Sequence, residues 1–152
     1  MRLGESAQNF ILKDQYGKDF ELYKNLDHKV LLVFYPKDHS PVCSRQLDNY
    51  NRNLFRFSKL GIRLVGISTD DTKSHNLFCN NLELKFSLLA DEDKTVSKMY
   101  NAINILGINK RKIVFINTDK KIIFERYILP FYYLDTGQIL EKVKVHTMDL
   151  LT

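Results

Sequence analysis

With 152 residues, 44% of them hydrophobic, the chain has the length of a single domain, 1–152, which can bury roughly 70% of its unfolded surface in one core. Two cysteines, no apolar signal core and no apolar run near the roughly 20 residues of a membrane span argue against a secreted or membrane protein, so we expect a cytoplasmic one. The net charge of +5 is spread among 18 acidic residues, with dense basic spots only at 110–112 and 120–121, so we expect no nucleic-acid partner.

The first predicted elements are a hairpin and a buried strand. Apolar and polar residues alternate from Phe10 to Leu22 around a turn in which Gly17 can take a positive φ. Val30 to Tyr35 is a continuous apolar run, which is typical of a strand covered on both faces.

A long helix is predicted directly after this strand, over residues 43–60. Ser40 suits the N-cap, where its hydroxyl can accept from free backbone N–H groups, and Pro41 fits the first helical position. Gly61 provides a stop. The apolar residues of the helix recur at steps of three or four, at Leu47, Tyr50, Leu54, Phe57 and Leu60.

The remaining pattern alternates strands and helices. It predicts a strand at 62–68, a helix at 71–82 capped by Asp70 or Asp71, a strand at 86–91, a helix at 95–102, and a hairpin of strands 113–116 and 121–124. A final helix of about two turns from Val143 is implied only by the family resemblance given below. The aromatic segment 125–138 has no assigned element. This order predicts an α/β fold with a central mixed β-sheet flanked by helices.

Cys43 falls in the first turn of the predicted helix 43–60. A thiol there faces unpaired N–H donors and the positive end of the helix dipole, and both stabilise the thiolate, which is the nucleophilic form. The alternative is a buried cysteine that packs as a small hydrophobic residue.

The residues around Cys43 carry a family resemblance. The segment Pro36-x-x-x-Ser40-x-x-Cys43 resembles the signature of peroxiredoxins, and Tyr35-Pro36-Lys37-Asp38 resembles their bacterioferritin-comigratory, or Q-type, branch. The resemblance covers nearly the whole chain and is weakest between Glu125 and Glu141. It implies a thioredoxin-like fold and a thiol-dependent peroxidase that reduces hydrogen peroxide and organic hydroperoxides with Cys43 as the peroxidatic cysteine. No metal, haem, flavin or other cofactor is implied.

The same resemblance gives roles to four further residues. Pro36 would shield the thiolate, Ser40 would present its hydroxyl to the peroxide, and Arg111 would place a positive charge near the thiolate. Gln46, one helical turn after Cys43, would orient Arg111, although the family often has glutamate there. Without the family pattern, Arg111 is one member of a basic surface triplet.

Cys79 is the candidate for the resolving cysteine. By the resemblance, a resolving cysteine lies either five residues after the peroxidatic one, which here is Asp48, or on the next helix, which carries Cys79. The sulfenic acid on Cys43 would then form an intramolecular disulfide with Cys79, and both helices could have to unwind at their first turns. Thioredoxin or a similar dithiol would recycle a protein that we expect to be a monomer. Alternatively, Cys79 is a passive core residue and a small external thiol resolves Cys43.

A metal-binding protein is a rival interpretation. His39 and Cys43, like His75 and Cys79, are spaced by four residues, and together they could form a Cys₂His₂ site. Pro41 lies inside the first pair, which argues against it. A thioredoxin-type disulfide reductase is disfavoured because the chain has no Cys-x-x-Cys motif.

Overall fold

The structure is a computed structural model that describes residues 4–151, and the side chains of residues 4–145. Within this range the strands are β1 (Ile11–Lys13), β2 (Asp19–Glu21), β3 (Lys29–Phe34), β4 (Ile62–Ser68), β5 (Ser87–Ala90), β6 (Arg111–Ile116) and β7 (Ile122–Ile128). The helices are α1 (Pro41–Arg52), α2 (Leu54–Ser58), α3 (Thr72–Leu82), α4 (Thr95–Met99) and α5 (Thr136–Leu151), with a short 3-10 helix at Tyr23–Asn25. None of these helices combines the length and the apolar character that a membrane crossing requires.

The strands form one mixed sheet in the order β2-β1-β5-β4-β3-β6-β7. The central strands β3, β4 and β5 are parallel, whereas β1, β2, β6 and β7 join by antiparallel pairing. The two parallel crossovers contain the helices α1, α2 and α3, as expected for strand–helix–strand units. The predicted α/β fold with a central mixed sheet is therefore confirmed.

Strand β3 is buried on both faces, because helices and loops cover both sides of the sheet there. Leu31 and Val33 face one buried cluster, which also holds residues of α1, α2, α3 and α5. Val30, Leu32 and Phe34 face the other, which contains the N-terminal hairpin and α4. This alternation explains why the strand is a continuous apolar run. Both cysteines lie in the first cluster.

The predicted helix 43–60 is wrong in its extent, because it breaks at Asn53. The backbone of Asn53 leaves the helical region at φ −110° and ψ 16°, and its side-chain amide donates to the carbonyl of Asn49 at 2.8 Å. Asparagine competes in this way with the backbone hydrogen bonds of a helix. Leu60, which was expected to face the core, lies beyond α2 and is 40% exposed.

The second half of the chain is more regular than predicted. Strand β6 begins at Arg111 and β7 extends to Ile128, so part of the unassigned aromatic segment is strand. The final helix starts at Thr136 rather than Val143, and Thr152 lies outside the described residues. The helix α4 is shorter than 95–102, because Asn101 adopts a positive φ of 54°.

Two asparagines fasten the end of α1 to its surroundings. The side-chain oxygen of Asn49 accepts from the backbone N–H and the hydroxyl of Thr136, both at 2.9 Å. Asn51 donates to the carbonyl of Glu83 at 3.0 Å and accepts from the N–H of Lys85 at 2.8 Å. The last turn of α1 is therefore tied both to the start of α5 and to the segment after α3.

Candidate active site

Cys43 lies in the first turn of α1, just beyond the end of β3, and is fully buried. Ser40 holds the predicted N-cap position with an extended backbone, and its carbonyl accepts from the N–H of Ser44 at 2.8 Å. Pro41 is the first helical residue, as predicted. The predicted hydrogen bond from a backbone N–H of the first turn to the Ser40 hydroxyl is absent, so this part of the prediction is wrong. Ser40 instead lines a cleft beside the helix start.

Arg111 is buried beside Cys43 and is not part of an exposed basic triplet. Strand β6 runs antiparallel to β3, and this pairing brings Arg111 to the end of β3 from which α1 begins. Its Nη1 atom donates to the sulfur of Cys43 at 3.2 Å and to the side-chain oxygen of Gln46 at 2.5 Å. The guanidinium therefore directs a positive charge and a hydrogen-bond donor at the sulfur. The sequence-predicted residues Cys43, Gln46 and Arg111 therefore form one connected group.

Tyr50 extends this group and was missed as a site residue. The amide of Gln46 donates to the hydroxyl of Tyr50 at 3.1 Å, and that hydroxyl donates to the carbonyl of Leu134 at 2.6 Å. The chain of contacts fixes the orientation of the Gln46 amide, and so presents its oxygen to Arg111. Burial raises the pKa of Tyr50, which therefore stays a neutral donor. The spacing of Gln46 and Tyr50, one helical turn apart, was the available signal.

A cleft of about 860 Å³ opens beside the start of α1. The predicted site residues Pro36, Ser40 and Arg111 are among the residues that line it. Its other walls come mainly from the segments 104–110 and 127–131. Several exposed apolar residues lie there, namely Ile108, Leu129 and Phe131. The aromatic segment that had no sequence assignment thus forms a wall of the cleft.

Cys79 lies in the second half of α3 and is 4% exposed. Both cysteines are free thiols and belong to the same core cluster, together with Phe78 and Leu47. Burial, followed by the charge of Asp38, raises the pKa of Cys79 to about 12. In the folded chain Cys79 is therefore a protonated thiol.

A buried hydrogen-bond network around Asp38 connects the loop before α1 to the start of α3. The carboxylate accepts from the Tyr35 hydroxyl at 2.6 Å and from the Ser74 hydroxyl at 2.8 Å. It also contacts His75 at 2.7 Å between Oδ2 and Nδ1, and both side chains are almost fully buried. The Asp38 N–H donates to Asp70 at 2.8 Å. Sequence analysis placed Asp38 only in a motif and did not pair it with His75.

The partners of Asp38 determine its charge. Burial alone would raise the pKa of this carboxyl, but hydrogen bonds from His75, Tyr35 and Ser74 outweigh burial, and the pKa is lowered. The other ring nitrogen of His75, Nε2, lies 3.0 Å from the carbonyl of Leu89. Since a carboxylate and a carbonyl are both acceptors, both nitrogens donate when the ring is protonated. The pair therefore fastens α3 to the loop that precedes Cys43.

The Cys₂His₂ alternative has no support in this geometry. Among the described side chains, the group whose ligand atoms all lie within 4.8 Å of one another is Asp38, Asp70 and His75, and it contains neither cysteine. His39 packs its ring against Phe78, with the ring centroids 4.9 Å apart. The four residues of the predicted metal site are not gathered around a common point.

A mixed sheet of this order, with a cysteine in the first turn of the helix after its central strand, defines a thioredoxin-like thiol protein. The chain belongs to the AhpC/TSA family, whose model matches residues 3–125. It is therefore a peroxiredoxin, the class of enzyme that reduces peroxides with a cysteine thiol.

The chain is similar to named members of this class. It is 36% identical over 102 residues to a bcp peroxiredoxin of Helicobacter pylori, covering 67% of both chains. It is 40% identical over 95 residues to the chloroplastic peroxiredoxin Q of Arabidopsis thaliana, covering 62% of this chain but only 44% of the plant protein. Among solved structures, peroxidoxin BcpB of Mycobacterium tuberculosis has a TM-score of 0.83 at 25% identity, covering 96% of both chains. PrxQ of Xylella fastidiosa shares the fold, with a TM-score of 0.86 at 23% identity and coverage of 97% and 98%.

Proposed function

We propose that Cys43 is the peroxidatic cysteine of a thiol-dependent peroxidase, that Cys79 resolves it, and that an external dithiol recycles the disulfide. The contact that carries this proposal is the 3.2 Å distance between the Cys43 sulfur and Arg111, a residue that also lines the neighbouring cleft. The guanidinium would stabilise negative charge during the reaction, and the cleft would bring a substrate up to Arg111 and the buried sulfur.

In the first step the Cys43 thiolate attacks the terminal oxygen of the hydroperoxide. An S–O bond forms while the O–O bond breaks, and its electron pair leaves with the second oxygen, which takes a proton from water and departs as an alcohol or as water. Sulfur is oxidised to sulfenic acid and the peroxide is reduced. Arg111, the Ser40 hydroxyl and the backbone N–H groups at the helix start would stabilise the charge on the oxygens.

In the second step the Cys79 sulfur displaces the sulfenic hydroxyl from Cys43 and water is released. Cys79 is a poor nucleophile while it is buried, since its pKa is about 12. Unwinding the part of α3 that holds it would remove both the burial and the nearby charge of Asp38. We therefore expect the disulfide to form only after local opening of α1 and α3.

A reduced dithiol protein such as thioredoxin would then return both cysteines to thiols and leave as its own disulfide. Hydrogen peroxide and organic hydroperoxides are the proposed substrates. A reducing compartment, the cytoplasm, suits a chain whose two cysteines are free thiols. We expect the enzyme to act as a monomer and to need no cofactor.

One equivalent of peroxide added to the reduced chain tests the proposal. Mass spectrometry under non-reducing conditions should find an intramolecular Cys43–Cys79 disulfide. Cys43→Ser should consume no peroxide above the solution background. Cys79→Ser, the matched control, should consume one equivalent, remain as a sulfenic acid in the presence of thioredoxin, and over-oxidise more readily.

Hydrogen exchange gives a second readout of the same reaction. The disulfide form should lose protection around residues 40–48 and 74–82 relative to the reduced form. A disulfide between two chains, or full thioredoxin-driven turnover by Cys79→Ser, would show that Cys79 is not the resolving residue. Full activity in Cys43→Ser would overturn the assignment of Cys43.

A further inference from the structure

Asn109 is a buried amide that lacks a protein partner, in the wall of the active-site cleft. Asn109 is 2% exposed, and neither its Nδ2 nor its Oδ1 atom forms a hydrogen bond. The residue lines the same cleft as Ser40 and Arg111. A buried amide without a partner is costly and rare in proteins, so its retention needs a reason.

The position of Asn109 relative to Arg111 suggests that reason. The two residues are separated by one position in extended chain, since Asn109 pairs with Ile103 in a β-bridge and Arg111 begins β6. Alternate residues of extended chain point to the same side and lie about 6.6 to 6.8 Å apart. Arg111 itself has a buried Nε atom without a partner. Two neighbouring residues of the cleft wall therefore carry buried polar atoms without a partner.

This spacing separates the role of Asn109 from that of Arg111. A peroxide held beside Cys43 would place its two oxygens next to Arg111. Because the Asn109 backbone lies about 6.6 to 6.8 Å along the chain from that of Arg111, its amide would meet the organic part of the substrate, several bonds away. The cleft around that part is otherwise largely apolar, with Ile108 and Leu129 among its walls.

From this geometry we infer that Asn109 is a specificity residue, which selects organic hydroperoxides that carry a hydroxyl or carboxamide group a few bonds from the peroxide. Such a group both donates and accepts, so it satisfies the amide oxygen and the amide N–H groups together. A carboxylate would leave the Asn109 oxygen unpaired, and a purely apolar substituent would leave both atoms unpaired. This inference rests on the proposed peroxidase function.

A matched pair of substrates tests the selection. The probes are tert-amyl hydroperoxide and its analogue with a terminal hydroxyl on the same carbon skeleton. We expect kcat/KM of the wild type to be about tenfold higher for the hydroxylated analogue, because its hydroxyl forms hydrogen bonds with the buried amide. In Asn109→Leu, whose side chain has the same branching and the same number of heavy atoms, the ratio of the two kcat/KM values should fall to one or reverse. Phe131→Leu, a change in the cleft wall that removes no polar group, should leave the ratio as in the wild type.

The stability of Asn109→Leu provides an independent test. If the amide is kept for substrate alone, replacing it with an apolar group of similar shape should raise the thermal midpoint by about 2–4 °C. A lower thermal midpoint would mean that the amide has a structural partner, and it would overturn the inference. A kcat/KM ratio near one in the wild type would also overturn it, and so would a preference for the hydroxylated analogue that survives in Asn109→Leu. If the wild type consumes neither probe nor hydrogen peroxide, the proposed peroxidase function fails instead.

Discussion

The surroundings of Cys43 and of Cys79 differ although the two thiols are almost equally buried, at 0% and 4% exposure in one core cluster. Cys43 has the Arg111 guanidinium at 3.2 Å and the start of a helix around it. Burial, followed by the nearby negative charge of Asp38, raises the pKa of Cys79 to about 12. The two buried thiols therefore differ in the sign of the charge beside them.

In the proposed reaction this difference would also separate the two steps in time. Cys43 would react in the folded chain, whereas the buried Cys79 would become a good nucleophile only when α3 opens. Because the hydrogen bond between Asp38 and His75 fastens α3 to the loop before α1, it would oppose that opening. The variants and conditions below each change the surroundings of Cys43 or those of Cys79.

The largest effect is expected from Asp38→Asn, which removes the charge of the buried pair. Asparagine keeps one acceptor oxygen, so a buried donor that bonded the other carboxylate oxygen loses its acceptor, at a cost of about 1–3 kcal/mol of unfolding free energy. We expect Cys79 to be alkylated faster and the disulfide to form sooner after peroxide. Denaturant unfolding and alkylation monitored by mass spectrometry measure both.

Asp48→Asn is the matched control, since Asp48 pairs with Arg52 on the surface at 2.9 Å and should contribute at most about 1 kcal/mol. Equal destabilisation by the two variants would contradict the role of the buried pair. In the wild type the contribution of Asp38 is present above the ordinary pKa of an aspartate. It should be lost as the pH falls through the lowered pKa of the folded chain.

Arg111→Ala acts on the other cysteine. Loss of the charge beside the thiolate and the leaving oxygen should slow the reaction of Cys43 with peroxide by about a hundredfold. Stopped-flow measurement of peroxide reduction at fixed pH checks this. Arg111→Lys keeps a positive charge but cannot contact Cys43 and Gln46 with one planar group, so it should restore only part of the rate. Wild-type rates in both variants would remove Arg111 from the site.

Alkaline pH should weaken the region around Cys79. A group whose pKa is raised on folding contributes stability below its unfolded pKa, which is lost as the pH rises through the folded value. For Cys79 this window lies between about pH 9 and pH 12. Within it the unfolding free energy should fall by up to about 1.4 kcal/mol per pH unit. The difference between wild type and Cys79→Val isolates this contribution from the buried tyrosines, and parallel pH profiles would contradict it.

The smallest effect is expected from Tyr50→Phe, which removes the hydroxyl between Gln46 and the Leu134 carbonyl. Loss of these hydrogen bonds should cost about 1 kcal/mol of unfolding free energy and shift the thermal midpoint down by about 2–4 °C. The Gln46 amide would be less firmly oriented, so peroxide reduction should slow modestly, by less than in Arg111→Ala. An unchanged midpoint would show that water replaces the hydroxyl.

Sequence analysis located the strand–helix junction at Cys43 because apolar periodicity and the N-cap position are local signals. It also gave the hairpin, β4 and α3, but it left the cap of α3 open between Asp70 and Asp71. In the structure the cap is Asp71, whose carboxylate accepts from the N–H of Ser74 at 2.8 Å. It failed at Asn53, where a single side chain competes with the helix, and at the start of α5, which follows an aromatic stretch without a clear period. Tertiary contacts decide such boundaries.

The electrostatic partners were harder to predict than the cysteines. A basic triplet suggests solvent, yet Arg111 and Lys112 are buried on β6, and Lys112 donates to the Tyr100 carbonyl at 2.7 Å. Asp38 and His75 lie 37 positions apart, so no local pattern pairs them. Asn109 lies in no sequence motif that would mark it as a site residue. These residues acquire their roles only when the sheet order brings distant segments together.

The anchoring of α1 at Asn49 and Asn51 has a kinetic consequence. Starting a new helix is slow and unfavourable, because several backbone angles must be fixed before the first hydrogen bond forms, whereas lengthening an existing helix is easy. If the opening of α1 stops before these anchored residues, the last turn survives each catalytic cycle as a template. The unwound turns around Cys43 can then refold by lengthening this remaining helical turn. The reactive conformation therefore returns without a new nucleation event each time the proposed disulfide is reduced.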